Sequence, residues 1–184
     1  MAVFRISRAV TLPADEAWLR VTDWRGHAAQ VPLTIVSSVT PSPTRVGTVF
    51  VARSGIGRSG SGRSRIGRSR LGRPELGRFG FDDPMEVVHW RPPDGGAPGL
   101  CRLEKRGRVI TGWAEIEVLP EGPGAVVVWV EELHIRLVPR LLDPLVARVA
   151  RLVFGRALDG LLNRPGPTAT DAADAADAAG AADN

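Results

Sequence analysis

Hydrophobic and polar positions alternate with a period of two along much of the chain and switch to a helical period near the start and near the end. Val3–Val10 alternates and predicts a first strand. Thr11-Leu12-Pro13 then opens a helix over Pro13–Trp24, with Pro at a first helical position and Asp15-Glu16 in the first turn. Trp18, Val21 and Trp24 fall at helical spacing, so one face is expected to be buried. Gly26 breaks the run, and His27–Gln30 adds a short second helix before Pro32. Strand patterns follow at Leu33–Thr40, Gly47–Ala52, Met85–Trp90, Leu100–Lys105, Val109–Leu119 and Ala125–Ile135, the last being the longest. Turn signals at Pro41-Ser42-Pro43, Pro92–Gly96 and Pro120–Gly124 close three of them. Short connections between successive strands predict an antiparallel meander.

A long apolar helix pattern, Leu141–Leu162, follows the strands. Its expected buried stripe is Leu142, Val146, Val149, Val153, Ala157 and Leu161, widened by Leu145, Leu152 and Leu158. Gly155 and Gly160 each cost about 1 kcal/mol relative to Ala in a helix interior, but leave room for close packing or a ligand. Together the elements predict an α+β fold. A bent antiparallel sheet wraps around a long C-terminal helix, with two short helices after the first strand and a cavity between sheet and helix.

Length and composition narrow this picture without redirecting it. The 184 residues suit one domain, and 43% hydrophobic content is ordinary for a globular protein. Cys101 is the single cysteine, so internal disulfides and cysteine-based metal sites are ruled out, and a reducing compartment fits. The opening MAVFRISRAV lacks the apolar run of a secretory signal, and Ala125–Val130 is far too short to span a bilayer. A cytoplasmic protein without a transmembrane segment, monomeric or homodimeric, is the expectation.

Charge is distributed unevenly. The formal net charge is +4, yet Arg53–Arg78 alone holds eight arginines against one acid, Glu75. Without that segment 16 basic and 19 acidic residues remain, a net of −3. From Gly57 the segment repeats in fives: GRSGS, GRSRI, GRSRL, GRPEL, GRFGF. A period of five keeps no face apolar, so residues 54–78 are expected to be a disordered insertion within a domain spanning 1–164. Clustered arginines can attract nucleic acid or anionic lipid. No aromatic residue interleaves the repeats before Phe79, so nucleic acid is not the expected partner. Residues 165–184, rich in Ala and Asp, are expected to be a disordered tail.

Candidate chemistry is sparse. His27, His89 and His134 show no metal-binding spacing, and no phosphate-binding loop is present, so neither a metal nor a cofactor is expected. Along the last strand Val127, Trp129, Glu131, Leu133 and Ile135 share one face. This set carries the larger apolar groups and is assigned inward, which aims Glu131 at the cavity. A carboxylate there needs a partner or a raised pKa. Arg102 or Arg108 on neighbouring strands can supply the partner, and His89 can complete a polar cluster. Glu131, His89 and Arg102 are therefore the catalytic candidates, with a structural ion pair or a wet strand face as the alternative. Trp113, Trp129, Glu131, Leu133, Val146, Val149 and Val153 are the expected cavity lining, although alternation in its own strand sets Trp113 with Glu115 and Glu117, opposite Ala114, Ile116 and Val118.

Several motifs resemble a known family. Val10-Thr11-Leu12-Pro13-Ala14-Asp15-Glu16-Ala17-Trp18, followed by Thr22-Asp23-Trp24, resembles the opening of START-like (SRPBCC) domains of the polyketide cyclase/dehydrase-like group. Gly80–Val87, Arg108–Glu115 and Pro139–Leu145 resemble an actinobacterial subgroup. The resemblance covers Ala2–Arg164, and the pentad insertion departs from it. It implies the helix-grip fold and a cavity for lipids, polyketides or other hydrophobic ligands, with no shared catalytic motif to carry over. Three functions compete: binding of a hydrophobic small molecule in the cavity, polyketide cyclase or dehydratase activity, and contact with nucleic acid or anionic surfaces through the arginine-rich segment. The first is preferred.

Overall fold

Alternation shapes the first strand as expected. β1, Ala2–Val10, buries Ala2, Phe4 and Ile6 and exposes Val3, Arg5 and Ser7. The computed structural model describes residues 1–30, 34–40, 43–55 and 80–164. The pentad repeats from Gly57 to Phe79 and the tail 165–184 lie outside the described residues.

The expected helix Pro13–Trp24 is two helices. α1 spans Ala14–Val21, with Pro13 as its N-cap rather than its first residue. It ends where Thr22 Oγ1 donates back to the Trp18 carbonyl at 2.7 Å. α2 spans Trp24–Gln30 and is opened by Asp23, whose Oδ1 accepts the Gly26 N–H at 2.9 Å. Gly26 therefore lies inside α2 instead of breaking a helix, and a Cβ there would collide with the Asp23 carboxylate.

Six further strands complete the sheet: β2 Thr34–Thr40, β3 Val49–Gly55, β4 Gly80–Arg91, β5 Gly99–Arg106, β6 Ile110–Glu121 and β7 Gly124–Ile135. All pair antiparallel in the order β1-β7-β6-β5-β4-β3-β2. The meander is as predicted. β1 joins its far end, and α1 and α2 carry the chain from one sheet edge to the other. Most strand boundaries move by one or two residues, and two move further. Ser54 and Gly55, assigned above to the insertion, continue β3, and β4 starts five residues before Met85, because β3 and β4 stay paired out to Gly55 and Gly80. β4, β6 and β7 are equally long at 12 residues each.

A 3-10 turn, Arg140–Leu142, leads into α3, Asp143–Leu162, with Pro144 in its first turn. α3 packs along β1, α1 and α2. Arg8 holds it through Asp159 at 2.6 and 3.2 Å, and Arg20 Nη1 donates to the Leu162 carbonyl at 2.6 Å. The expected buried stripe holds in the second half of α3 and fails in the first. Ala150, Ala157, Leu158 and Leu161 are buried, whereas Leu145, Val149 and Leu152 are 52–57% exposed. The early turns of α3 are apolar on two sides, so periodicity offers two faces. The sheet takes the one carrying Ala147 and Ala150, whose small side chains allow close approach.

One end of the space between sheet and helices is solid. Trp18 packs on Trp90 with centroids 4.8 Å apart, above buried Val21, Cys101, Ile116 and Val118. Trp18 also lies so close to Gly99 that a Cβ there would be 2.8 Å from its ring. Among the described residues no helix is long and apolar enough to cross a membrane.

Candidate functional site

The other end is hollow. A cavity of about 150 Å³ lies between the concave sheet face, α2 and α3. Part of its wall is aromatic. Trp24 stacks on Phe50 at 4.7 Å, His27 meets Trp129 at 5.3 Å, and Trp129 meets Phe154 at 5.4 Å. Alternation places the sheet's contribution: Leu103 on β5, Ala114 on β6, and Trp129, Glu131 and Leu133 on β7 all point inward.

Three charged groups line the same cavity. Lys105 on β5, Asp83 on β4 and Glu131 on β7 are all buried. Lys105 Nζ lies 3.4 Å from Asp83 Oδ2, 3.2 Å from Glu131 Oε1 and 3.4 Å from Met85 Sδ. Glu131 Oε2 accepts the Trp129 indole N–H at 2.9 Å. Lys105 reaches Glu131 across β6, where the two intervening positions are Gly112 and Ala114. Small residues there leave the span open. Gly112 is also required by its backbone: φ is +130°, and a Cβ would strike the Glu132 carbonyl.

The electrostatics leave acceptors in surplus. Among the described residues Asp83 Oδ1 has no hydrogen-bond partner, and Glu131 Oε1 has only the Lys105 ammonium, at 3.2 Å. Burial raises both carboxyl pKa values, and the pull of Lys105 only partly offsets it. Burial alone would lower Lys105, but the two carboxylates outweigh it and hold the ammonium protonated. Lys105 is therefore a fixed donor, not a free amine nucleophile. Cys101 is equally unsuited to attack, because desolvation pushes its thiol up to about 12.

The fold has close counterparts among solved structures. A protein from Chromobacterium violaceum is 14% identical, with a TM-score of 0.56 over 88% of this chain and 96% of its own. A conserved protein from Geobacillus kaustophilus matches at 10% identity and 0.56, over 87% and 92%. A Thermus thermophilus protein matches at 17% and 0.55, over 87% and 94%. The chain has the helix-grip fold. No family model matches it, and no curated protein matches it in sequence.

Within this helix-grip fold the predicted site residues separate into two groups. Trp129, Glu131 and Leu133 line the cavity. Trp113, Arg102 and His89 lie on the opposite sheet face. Arg102 covers the Trp113 ring at 4.4 Å and donates to Glu115 Oε2 at 3.1 Å. His89 is exposed opposite Arg102 because a bulge between Val87 and His89 reverses the alternation, sending Trp90 inward in its place. Arg108 is exposed, so the partner of Glu131 is Lys105 and neither arginine. On α3 the cavity wall is Phe154, not Val146, Val149 or Val153. Lys105, Asp83 and His27 were not foreseen. Lys105 had a readable signal: it is the single lysine, and it continues the inward series Cys101, Leu103 on β5.

His27 contributes a titratable edge to the cavity. Its Nε2 donates to the Val21 carbonyl at 2.7 Å, which keeps the neutral ring's proton on that nitrogen. Burial lowers its pKa from the ordinary 6.5, with the Val21 carbonyl and Asp23 opposing only in part. The stability this neutral imidazole contributes is complete above 6.5 and is lost as pH falls from there through the folded value. The raised pKa values of Asp83 and Glu131 act with the opposite sign. His27→Gln is thus expected to shrink the fall in Tm between about pH 7 and pH 5. Equal falls in variant and parent would contradict this assignment.

Proposed function

We propose that the protein binds a small apolar molecule, of about one ring and bearing a hydrogen-bond donor, in the cavity between sheet and helices. One observation carries the proposal: a hollow of about 150 Å³, walled in part by Trp24, Phe50, Trp129 and Phe154, contains Asp83 Oδ1, a buried carboxylate oxygen without a hydrogen-bond partner among the described residues, beside the Lys105–Glu131 ion pair. A hollow of about that size accommodates one benzene ring. A longer acyl chain or a fused polyketide needs α2 or α3 to lift. Apolar burial supplies affinity at about 25 cal/mol per Å² before binding costs. A hydroxyl or N–H on the ligand satisfies Asp83 Oδ1 or Glu131 Oε1 and sets orientation.

Trp24 and Trp129 line the hollow, so intrinsic fluorescence reports occupancy. Phenol is expected to change that signal saturably and to bind about tenfold more tightly than toluene, which lacks the donor. Ala114→Leu fills the floor and is expected to abolish the response while the fold, read by circular dichroism, persists. An unchanged response in Ala114→Leu would place binding elsewhere. Equal affinity for phenol and toluene would remove the donor requirement.

A second reading rests on the adjacency of Glu131 and Lys105. A carboxyl group raised by burial, beside a fixed ammonium, is the base-and-donor pair that proton abstraction next to a carbonyl needs. Glu131→Gln separates the two readings. An enzyme loses conversion of its bound compound, followed by mass spectrometry, and keeps affinity. A carrier shows no conversion to lose.

A further inference from the structure

The outer face of the C-terminal helix carries an apolar stripe that nothing in the chain's described residues covers. Leu141, in the turn that leads into α3, is 88% exposed, and Leu145 and Leu152 on α3 are 57% and 56% exposed. On α3, Leu145, Val149 and Leu152 are spaced by three and four residues, so they form one ridge opposite buried Ala150 and inward-facing Phe154. Isolated exposed leucines are ordinary, but a contiguous row marks an interaction surface.

The charges along this stretch of chain are nearly all of one sign. Arg136, Arg140, Arg148, Arg151 and Arg156 are all exposed. The single acid between Arg136 and Arg156 is Asp143, and it is already engaged by the N-terminal amino group. A two-fold contact between copies would set these arginine rows against one another, at a cost in like-charge repulsion. Leucines along one line with arginines beside them fit a different partner. Anionic phosphates receive the guanidinium groups, and the leucines enter the acyl boundary beneath.

We propose that the Leu141–Leu152 face docks the protein onto the surface of an anionic lipid bilayer. The inference is independent of the cavity and stands or falls without any ligand. It also does not draw on the arginine-rich pentads, so the test must keep the two apart.

The full chain is sedimented with vesicles of phosphatidylcholine alone and of phosphatidylcholine with about one-third phosphatidylglycerol. Binding is expected only to the anionic vesicles, and to weaken as salt rises. Replacing Leu141, Leu145 and Leu152 together with Gln is expected to lower binding at least about tenfold. These side chains are exposed, so the variant should keep the parent's Tm. A control with the arginines from Arg58 to Arg73 changed to Gln should keep most of the binding. Undiminished binding by the leucine variant overturns the proposal, as does binding lost only in the arginine control. So does an absence of vesicle binding combined with a dimer that the leucine substitutions dissolve, since a second copy would then be the occupant.

Discussion

Lys105→Met is expected to cost about 3–5 kcal/mol of folding stability, the largest effect of any single substitution considered. The ammonium is 3.4 Å from Asp83 and 3.2 Å from Glu131, and all three side chains are at most 8% exposed. Removing it leaves two carboxylates facing each other in an apolar cavity. Methionine conserves the length of the stem and sits beside Met85, so lost packing is a minor part of the cost. The two carboxyl pKa values are already raised in the folded protein. Without Lys105 they rise further, and the variant's stability is lost as pH rises through them. Urea unfolding should therefore show Lys105→Met recovering toward acid pH, while the triple variant with Asp83→Asn and Glu131→Gln regains much of the stability at neutral pH. A Lys105→Met protein as stable as its parent at pH 7 would show that the three groups do not depend on one another.

Phe154→Ala is expected to lose about 3 kcal/mol and to change what the cavity admits. The ring stacks on Phe4 at 5.5 Å and meets Trp129 at 5.4 Å, and it is the cavity wall that α3 supplies. Its removal joins the ring's own volume to the hollow. The variant should accept a bicyclic alcohol such as 2-naphthol, which the parent rejects, with the difference read by tryptophan fluorescence. Equal affinity of variant and parent for both ring sizes would mean that Phe154 does not bound the site.

Much of this was legible from alternation, and its failures have physical causes. β7 reads correctly because its pleat is regular: Trp129, Glu131 and Leu133 face inward as their spacing predicts. The same rule on β5 points Lys105 inward after Cys101 and Leu103, so the partner of Glu131 was within reach of the reasoning that found Glu131. His89 fails the rule because one extra residue in β4 turns the rest of the strand over, and a bulge leaves no periodic trace. The second half of α3 reads correctly at Ala157, Leu158 and Leu161, whereas its early turns were misoriented because a segment apolar on two sides cannot declare which side the sheet will take. The split between α1 and α2 turned on a single side chain, Asp23, which caps a second helix where glycine was expected to end the first. Asp83 is a carboxylate flanked by Asp82 and Pro84, and only the pairing of β4 with β3, which sets Asp83 opposite Ala52, shows that it faces inward.

The pairing of Gly55 with Gly80 has a consequence for evolution and for engineering. The two ends of the arginine-rich segment leave the sheet side by side, held by the hairpin whatever lies between them. Loop closure then costs only about 0.6 kcal/mol more for each doubling of the segment's length. The chain has, in effect, a socket at this hairpin tip, where foreign peptides can be spliced in or trimmed out with little strain reaching the hollow between sheet and helices.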